Sequence, residues 1–571
     1  MIMKNWHRTL IGSALPATLL AVWLIPGMAR EGSSLEEANT LVLDAEVALQ
    51  RGQCSKAAMN YSVLVQRLAD AGVAGRATQV ALDCAQPQLA RIAAQRWVQL
   101  APTSPEALHA GIRAQLEVYD VAAARALWLR WLALPGAAKP DDVAAEIATL
   151  AGDADNAPLR RMFDGLPAGN AAMAGASVQL ALAQLAFNGF DYRSSVELAR
   201  KALAVEDITP QLQQEAQWLV ARGSSSLGDA TAAYAAIDAL AKSQPEQAAM
   251  ARTEVLERLG QDQELAQQLE QMQKSDQAVL RREAQRQLAL QALADGRQEQ
   301  AQQLLEPMLK DENSVVTGVY YMAALAEQRG DKQAALRGYG LLGGTAYDSS
   351  ARQRMARLLC SAGQQQQALE LLAPSADADA PARLQAHIQR SALLADCGSV
   401  SEAVSEIKGQ LAEYGSDPSL RYQYAVVLER AGKTREAITE LENLRKARPQ
   451  DPDIANALGY TLADHSQQLT RAEQLVRAAL KEQPDNPSIL DSLAWLQYRR
   501  GNARAALPLF ERAWRLLENG DIAAHWGEVL WSLDEKQQAL EVWQRGARLD
   551  PDSELLKKLL QQHPLQPSTE T

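Results

Sequence analysis

Aromatic residues make up only 5% of the chain, 4 of its 571 residues are Phe, and β-branched residues are thin beside them. Sheets draw on those two classes, so a β-rich core is excluded. No Lys/Arg run reaches about five residues, and the formal net charge is -12. That balance repels phosphate backbones and anionic surfaces, so nucleic acid is not an expected partner. The histidines stand singly, at His7, His109, His387, His465, His525 and His563, and no Cys/His pair has ligand spacing. No metal site is expected from them. No G-x-S-x-G elbow occurs, and paired carboxylates fall on ordinary solvated helix faces, so no catalytic residue, cofactor or small-molecule substrate is expected. Beyond residue 30 no apolar run is long enough to cross a bilayer.

Ala, Leu, Gln, Glu and Arg dominate instead, and these are strong helix formers. A chain of 571 residues exceeds what one hydrophobic core organises, so an all-α protein of several domains or of repeats is expected. The first 29 residues stand apart. Lys4 and Arg8 precede an uncharged apolar segment from Leu10 to Ile25, and Gly27-Met28-Ala29 offers small residues where a signal peptidase cuts. Residues 1–29 therefore read as an export signal with the periplasm as destination. An uncleaved anchor is the other reading, against which Pro16 and the shortness of the segment speak. The first cysteine is Cys54, so any outer-membrane association would lack a lipidated Cys at the cleavage point.

The body of the chain is periodic. Leu493-Ala494, Gly501, Ala506, Phe510 and Ala513 recur 33 residues on as Trp526-Gly527, Asp534, Ala539, Trp543 and Gly546, closed by Pro551. Tyr424-Ala425, Gly432, Ala437, Leu441, Leu444 and Pro449 repeat the set, as do Leu458-Gly459, Ala472, Val476, Ala479 and Pro484, with one extra residue in the turn from His465 to Leu469. Upstream, a turn Gly and a following Ala recur as Gly398/Ala403, Gly363/Ala368, Gly330/Ala335, Gly296/Ala301, Gly228/Ala233 and Gly52/Ala57, and Gly260 keeps the turn with Leu265 in place of Ala. This is the tetratricopeptide pattern. A small residue lets helices A and B approach, a large one fills the opposite gap, and Gly permits the turn. Each pair leaves an apolar face that only the next pair can bury, which predicts a superhelical solenoid of helix-turn-helix repeats.

Residues 30–139 read as degenerate N-terminal repeats, with Ala81 to Trp97 and Gly111 to Trp131 equally compatible with ordinary helical hairpins. Residues 140–170 read as a degenerate linking unit interrupted by Pro140, Pro158 and Pro167. The main array spans 171–562 and ends in a capping helix from Glu554 to Gln562, followed by a polar tail over 563–571 expected to be disordered. Gly338, Gly340 and Gly343 spell G-x-G-x-x-G, but they fall in and just after a helix B, where no strand precedes to hold a dinucleotide. The turn Gly of a repeat likewise explains Gly432-Lys433-Thr434.

Helix A lines the concave side of such arrays. In the last units that stripe carries Asn456, Tyr460, Asp491, Trp495, Tyr498, Arg499, Glu528 and Trp531, and the Tyr, Trp and Arg among them are types enriched where partners bind. The competing reading packs Trp495 and Trp531 between neighbouring helices.

Three segments, Asn456 to Asp464 (NALGYTLAD), Pro487 to Trp495 (PSILDSLAW) and Ala523 to Trp531 (AAHWGEVLW), resemble the C-terminal part of bacterial envelope tetratricopeptide proteins that serve as the lipoprotein binding partner of a carboxyl-terminal processing protease. The match covers about Asp453 to Leu560. The resemblance implies a non-catalytic adaptor that brings the protease together with peptidoglycan hydrolases, and the missing lipidation Cys is a departure from it. An assembly module of an outer-membrane or polysaccharide-export complex is the alternative.

Cys54 and Cys84, 30 residues apart, and Cys360 and Cys397, 37 apart, lie near A-to-B turns of adjacent units. Stacked turns could bring each pair within disulfide reach in an oxidising compartment. Four small buried hydrophobes are the other reading.

Overall fold

The computed structural model describes residues 32–135, 139–164, 166, 171–375, 378–550 and 553–563. The expected export signal and all of the expected tail beyond His563 lie outside them. Helix accounts for 79% of the chain, and no strand occurs among the described residues. The helices follow in tandem as antiparallel pairs, most of them packed chiefly on their own partner and next on the following pair; the helix Pro140–Asp153 instead packs mainly on Ala176–Asn188, and Pro245–Arg258 packs more on the preceding helix Ala230–Ala241. The protein is an all-α superhelical solenoid of tetratricopeptide-type repeats.

Local chemistry explains the pairs. Asp229, Asp331, Asp417, Asp451, Asn486 and Asn519 each cap a helix by accepting a backbone N–H one turn in, and Pro418, Pro452 and Pro487 open helices where no donor is lost. The helix B alanines at 57, 233, 301, 335, 368, 403, 437, 472, 506 and 539 are all fully buried. Their partners are as tightly fitted, since a Cβ at Gly527 would overlap the Trp543 indole and one at Gly459 would overlap Val476.

The turns between helices A and B carry a left-handed residue. Gly52, Gly228, Gly260, Gly296, Gly330, Gly363, Gly398, Gly432 and Gly501 fill that role. Where Gly is missing, Ala85, Tyr119, Phe190, Ser466 and Asp534 adopt positive φ instead. The hairpins around Ala85 and Tyr119 thus stand in the array as repeats. Residues 140–164 fold into the short pair Pro140–Asp153 and Asn156–Phe163, whose Val143, Ile147, Leu150, Leu159 and Met162 share one buried cluster running from Val98 to Leu185.

The coil closes on itself. Turns of the first half meet turns of the second half 254 to 358 residues later in the chain. The Ser55 N–H donates to Glu413 (2.6 Å), the Gln86 side chain to the Glu413 carbonyl (3.1 Å), and Arg448 to the Glu117 carbonyl (2.7 Å) and Asp155 (3.0 Å). Arg161 donates to Glu482 (2.6 Å), the Asp485 N–H to the Phe190 carbonyl (2.9 Å), and Arg548 to the Ala294 carbonyl (2.8 Å). Three of the non-glycine turns lie on this seam. Ala85 accepts from Ser416, Tyr119 lies under the Arg448 guanidinium at 4.8 Å, and Phe190 pairs with Asp485. Left-handed φ costs a non-Gly residue about 1–2 kcal/mol, and contacts from the opposite coil hold these in place.

The seam responds to pH. Burial pushes the Glu117 carboxyl up to about 7, and Asp155 beside it adds to the rise while Arg448 and Arg113 oppose it. Asp417 and Asp451 are raised too, by burial first. Because the raised groups favour the protonated form in the closed coil, their contribution is complete below the ordinary carboxylate range and is lost as pH rises through about 7 for Glu117. The radius of gyration by small-angle scattering should therefore grow between acid and mildly alkaline buffer. The same measurement on Glu117→Gln should show a smaller change, and an equal change would assign the opening to other groups.

Candidate functional site

The concave stripe of the last three full repeats is formed by helices Pro452–Asp464, Pro487–Arg499 and Gly520–Ser532. The eight expected groove residues lie on these three helices in different environments. His525 sits at the centre. Its Nδ1 faces both Asp491 carboxylate oxygens at 3.1 and 3.0 Å, its Nε2 lies 3.3 Å from the Tyr460 hydroxyl, and its ring stacks on Trp495 with centroids 4.5 Å apart. Burial opposes a charge on His525, but Asp491 outweighs it and raises the imidazole pKa. This histidine–carboxylate pair thus ties two successive repeats.

Trp495 is 4% exposed and donates from its indole to Asp464 of the preceding repeat at 3.0 Å. Asp491 is buried as well. These two cross-link neighbouring repeats, and Trp531 stacks on Trp543 (5.8 Å) and lies 4.0 Å from His563 at the end of the capping helix. Asn456 and Tyr460 are half-buried, and a buried Asn456 oxygen has no hydrogen-bond partner. Tyr498, Arg499 and Glu528 are likewise half-buried. Arg499 reaches Ser466 (2.8 Å) and lies over Trp495 at 5.7 Å. Burial raises the Glu528 carboxyl, opposed by His525 and Arg499, and burial likewise raises Asp521.

Sequence spacing missed His525, which looked like a lone histidine; its position four residues after Asp521, on the concave stripe, was the available signal. It also missed a tyrosine cluster in mid-array, where Tyr320 stacks on Tyr347 at 4.6 Å and touches Tyr321 and Tyr339. Glu429, Asp464 and His465 bring three possible metal-ligand atoms within 4.8 Å of one another, with Arg499 3.9 Å from Asp464 supplying a competing positive charge.

Cys54 and Cys84 are joined with Cα atoms 5.3 Å apart, and Cys360 and Cys397 with Cα atoms 6.0 Å apart. Each link fastens the A-to-B turn regions of adjacent repeats. Titrating thiols in the unfolded, unreduced protein should find none. Four free thiols would mean that the links do not form in the compartment where the protein resides.

No family model matches the chain. Over 209 residues it is 28% identical to a TPR repeat-containing protein of Pseudomonas aeruginosa, a match that takes in 37% of this chain and 35% of that relative's length. The repeats in that relative's name are of the type that this chain's helical hairpins form. The chain thus spans about a third of the length of the curated relative it matches. Solved structures with which this repeat protein shares its helical type include a thermophilic TPR protein of Thermus thermophilus, 17% identical, covering 32% of this chain and 98% of that one with a TM-score of 0.29. A TPR protein described as having an unusual peptide-binding site is 17% identical, covering 31% of this chain and 91% of that one with a TM-score of 0.21.

Proposed function

We propose that this protein is an exported, non-catalytic scaffold that binds other proteins through the concave face of its repeats. The supporting observation is that Tyr498, Arg499 and Glu528 remain partly exposed beside a packed layer of Asp491, Trp495 and His525. Side chains held by a rigid layer lose little entropy on binding, which favours recognition. In the periplasm its partners would be a carboxyl-terminal processing protease and the peptidoglycan hydrolases it degrades. Two weak partners on one scaffold meet at an effective concentration up to about millimolar, so no chemistry from the scaffold is required.

The test is capture from envelope extract with the mature protein and with Tyr498→Ala/Arg499→Ala/Glu528→Gln. Trp495 is left intact because removing it would disturb the fold. A protease and a hydrolase recovered together, and lost with the triple variant at unchanged helicity, support the reading. Recovery of an export porin or synthase in their place would overturn it in favour of an assembly role.

A further inference from the structure

We propose that the cavity where the two coils meet binds a small multivalent oxyanion of the phosphate class and that this ligand holds the coil closed. The cavity measures about 860 Å³, a size typical of small-molecule sites. One wall is the start of helix Val121–Leu132 and the end of helix Asn156–Phe163; the other is the ends of helices Thr434–Ala447 and Leu469–Glu482.

The lining charges do not cancel. Of the acids, Asp120 caps its helix through the Ala123 N–H, Asp451 caps its own through the Asp453 and Ile454 N–H groups, and Glu482 is taken by Arg161 at 2.6 Å and Arg160 at 3.8 Å. Only Asp164 has no such commitment, and burial raises its carboxyl toward the neutral form. The cations are less well matched. Arg125 bonds only the Met162 and Arg161 carbonyls, at 2.9 and 2.6 Å, and so keeps its charge without an acid. Arg445 and Lys481, both on the wall from the second coil, make no side-chain hydrogen bond or ion pair among the described residues.

Arg161 and Arg445 come from opposite coils and line the same cavity; burial lowers the Arg445 pKa, Asp451 opposes that, and the charge of Arg161 adds a smaller lowering. Arg161 and Arg445 thus face a common space that also holds Glu482 and Asp451, and Arg445 has no ion-pair partner among the described residues. An oxyanion there would accept from both guanidinium groups and from Lys481, turning repulsion across the seam into a bridge. Because the two walls belong to different coils, the complete site exists only in the closed form, and ligand binding must favour closure.

The experiment is calorimetric titration of the full chain with inorganic pyrophosphate, repeated on Arg445→Met/Lys481→Met, with scattering to read coil dimensions. Expected are saturable binding, a smaller radius of gyration with ligand, and at least tenfold weaker binding in the double variant. The variant's melting without ligand should match the wild type, since neither side chain is bonded. Three results would overturn the proposal: no binding, equal binding by the variant, or compaction matched by sodium chloride at the same ionic strength. Citrate binding as tightly as pyrophosphate would overturn the phosphate class.

Discussion

Arg448→Ala is expected to open the coil, shifting closure by about 3–5 kcal/mol, the usual result of stripping one partner from a buried ion cluster. Arg448 is 7% exposed and is the cation shared by Asp155 (3.0 Å), Asp451 (3.7 Å) and Glu117 (3.8 Å), while its guanidinium also covers Tyr119. Removing it leaves three acids together at the seam with only the weaker influence of Arg113 on Glu117 to offset them. Scattering at neutral pH should show an expanded particle with unchanged helical circular dichroism, because repeat-to-repeat packing is untouched. Acid buffer should reverse much of the expansion, since protonation removes the repulsion that Arg448 had offset. An unchanged radius of gyration at neutral pH would show that the seam does not hold the coil.

Trp543→Ala should be the most damaging single change in the C-terminal repeats, at about 3–5 kcal/mol for a fully buried Trp. Trp543 is 0% exposed, fills the space left by Gly527, donates to the Ala524 carbonyl at 3.2 Å and stacks on Trp531 and His563. The loss should be local, because each repeat contacts chiefly its neighbours. Hydrogen exchange should rise in helices Gly520–Ser532 and Glu554–Gln562 before it rises in Pro452–Asp464. Uniform loss of protection along the whole array would contradict a nearest-neighbour account.

The repeats with Gly at the turn and Ala on helix B were legible in the sequence, because both residues answer a local steric demand at fixed spacing. The repeats turning at Ala85, Tyr119 and Phe190 were harder to read, since their left-handed residues are held by contacts from the opposite coil and carry no local signal. The expected groove stripe could not be divided into exposed and packed residues from the sequence. Trp495 and Tyr498 share a helix face in the sequence, and only the arrival of His525 from the next repeat decides that the first is buried and the second is not.

The sequence by itself determined the helical class, the repeat and the order of stacking, because the interactions that set them lie within one repeat or between neighbours and recur with its period. Tertiary structure alone decided that the coil closes, which side chains form the seam, and that Arg161 and Arg445 share a cavity. Those groups are brought together from positions hundreds of residues apart by the accumulated small rotation of every repeat between them, and no local pattern encodes that sum.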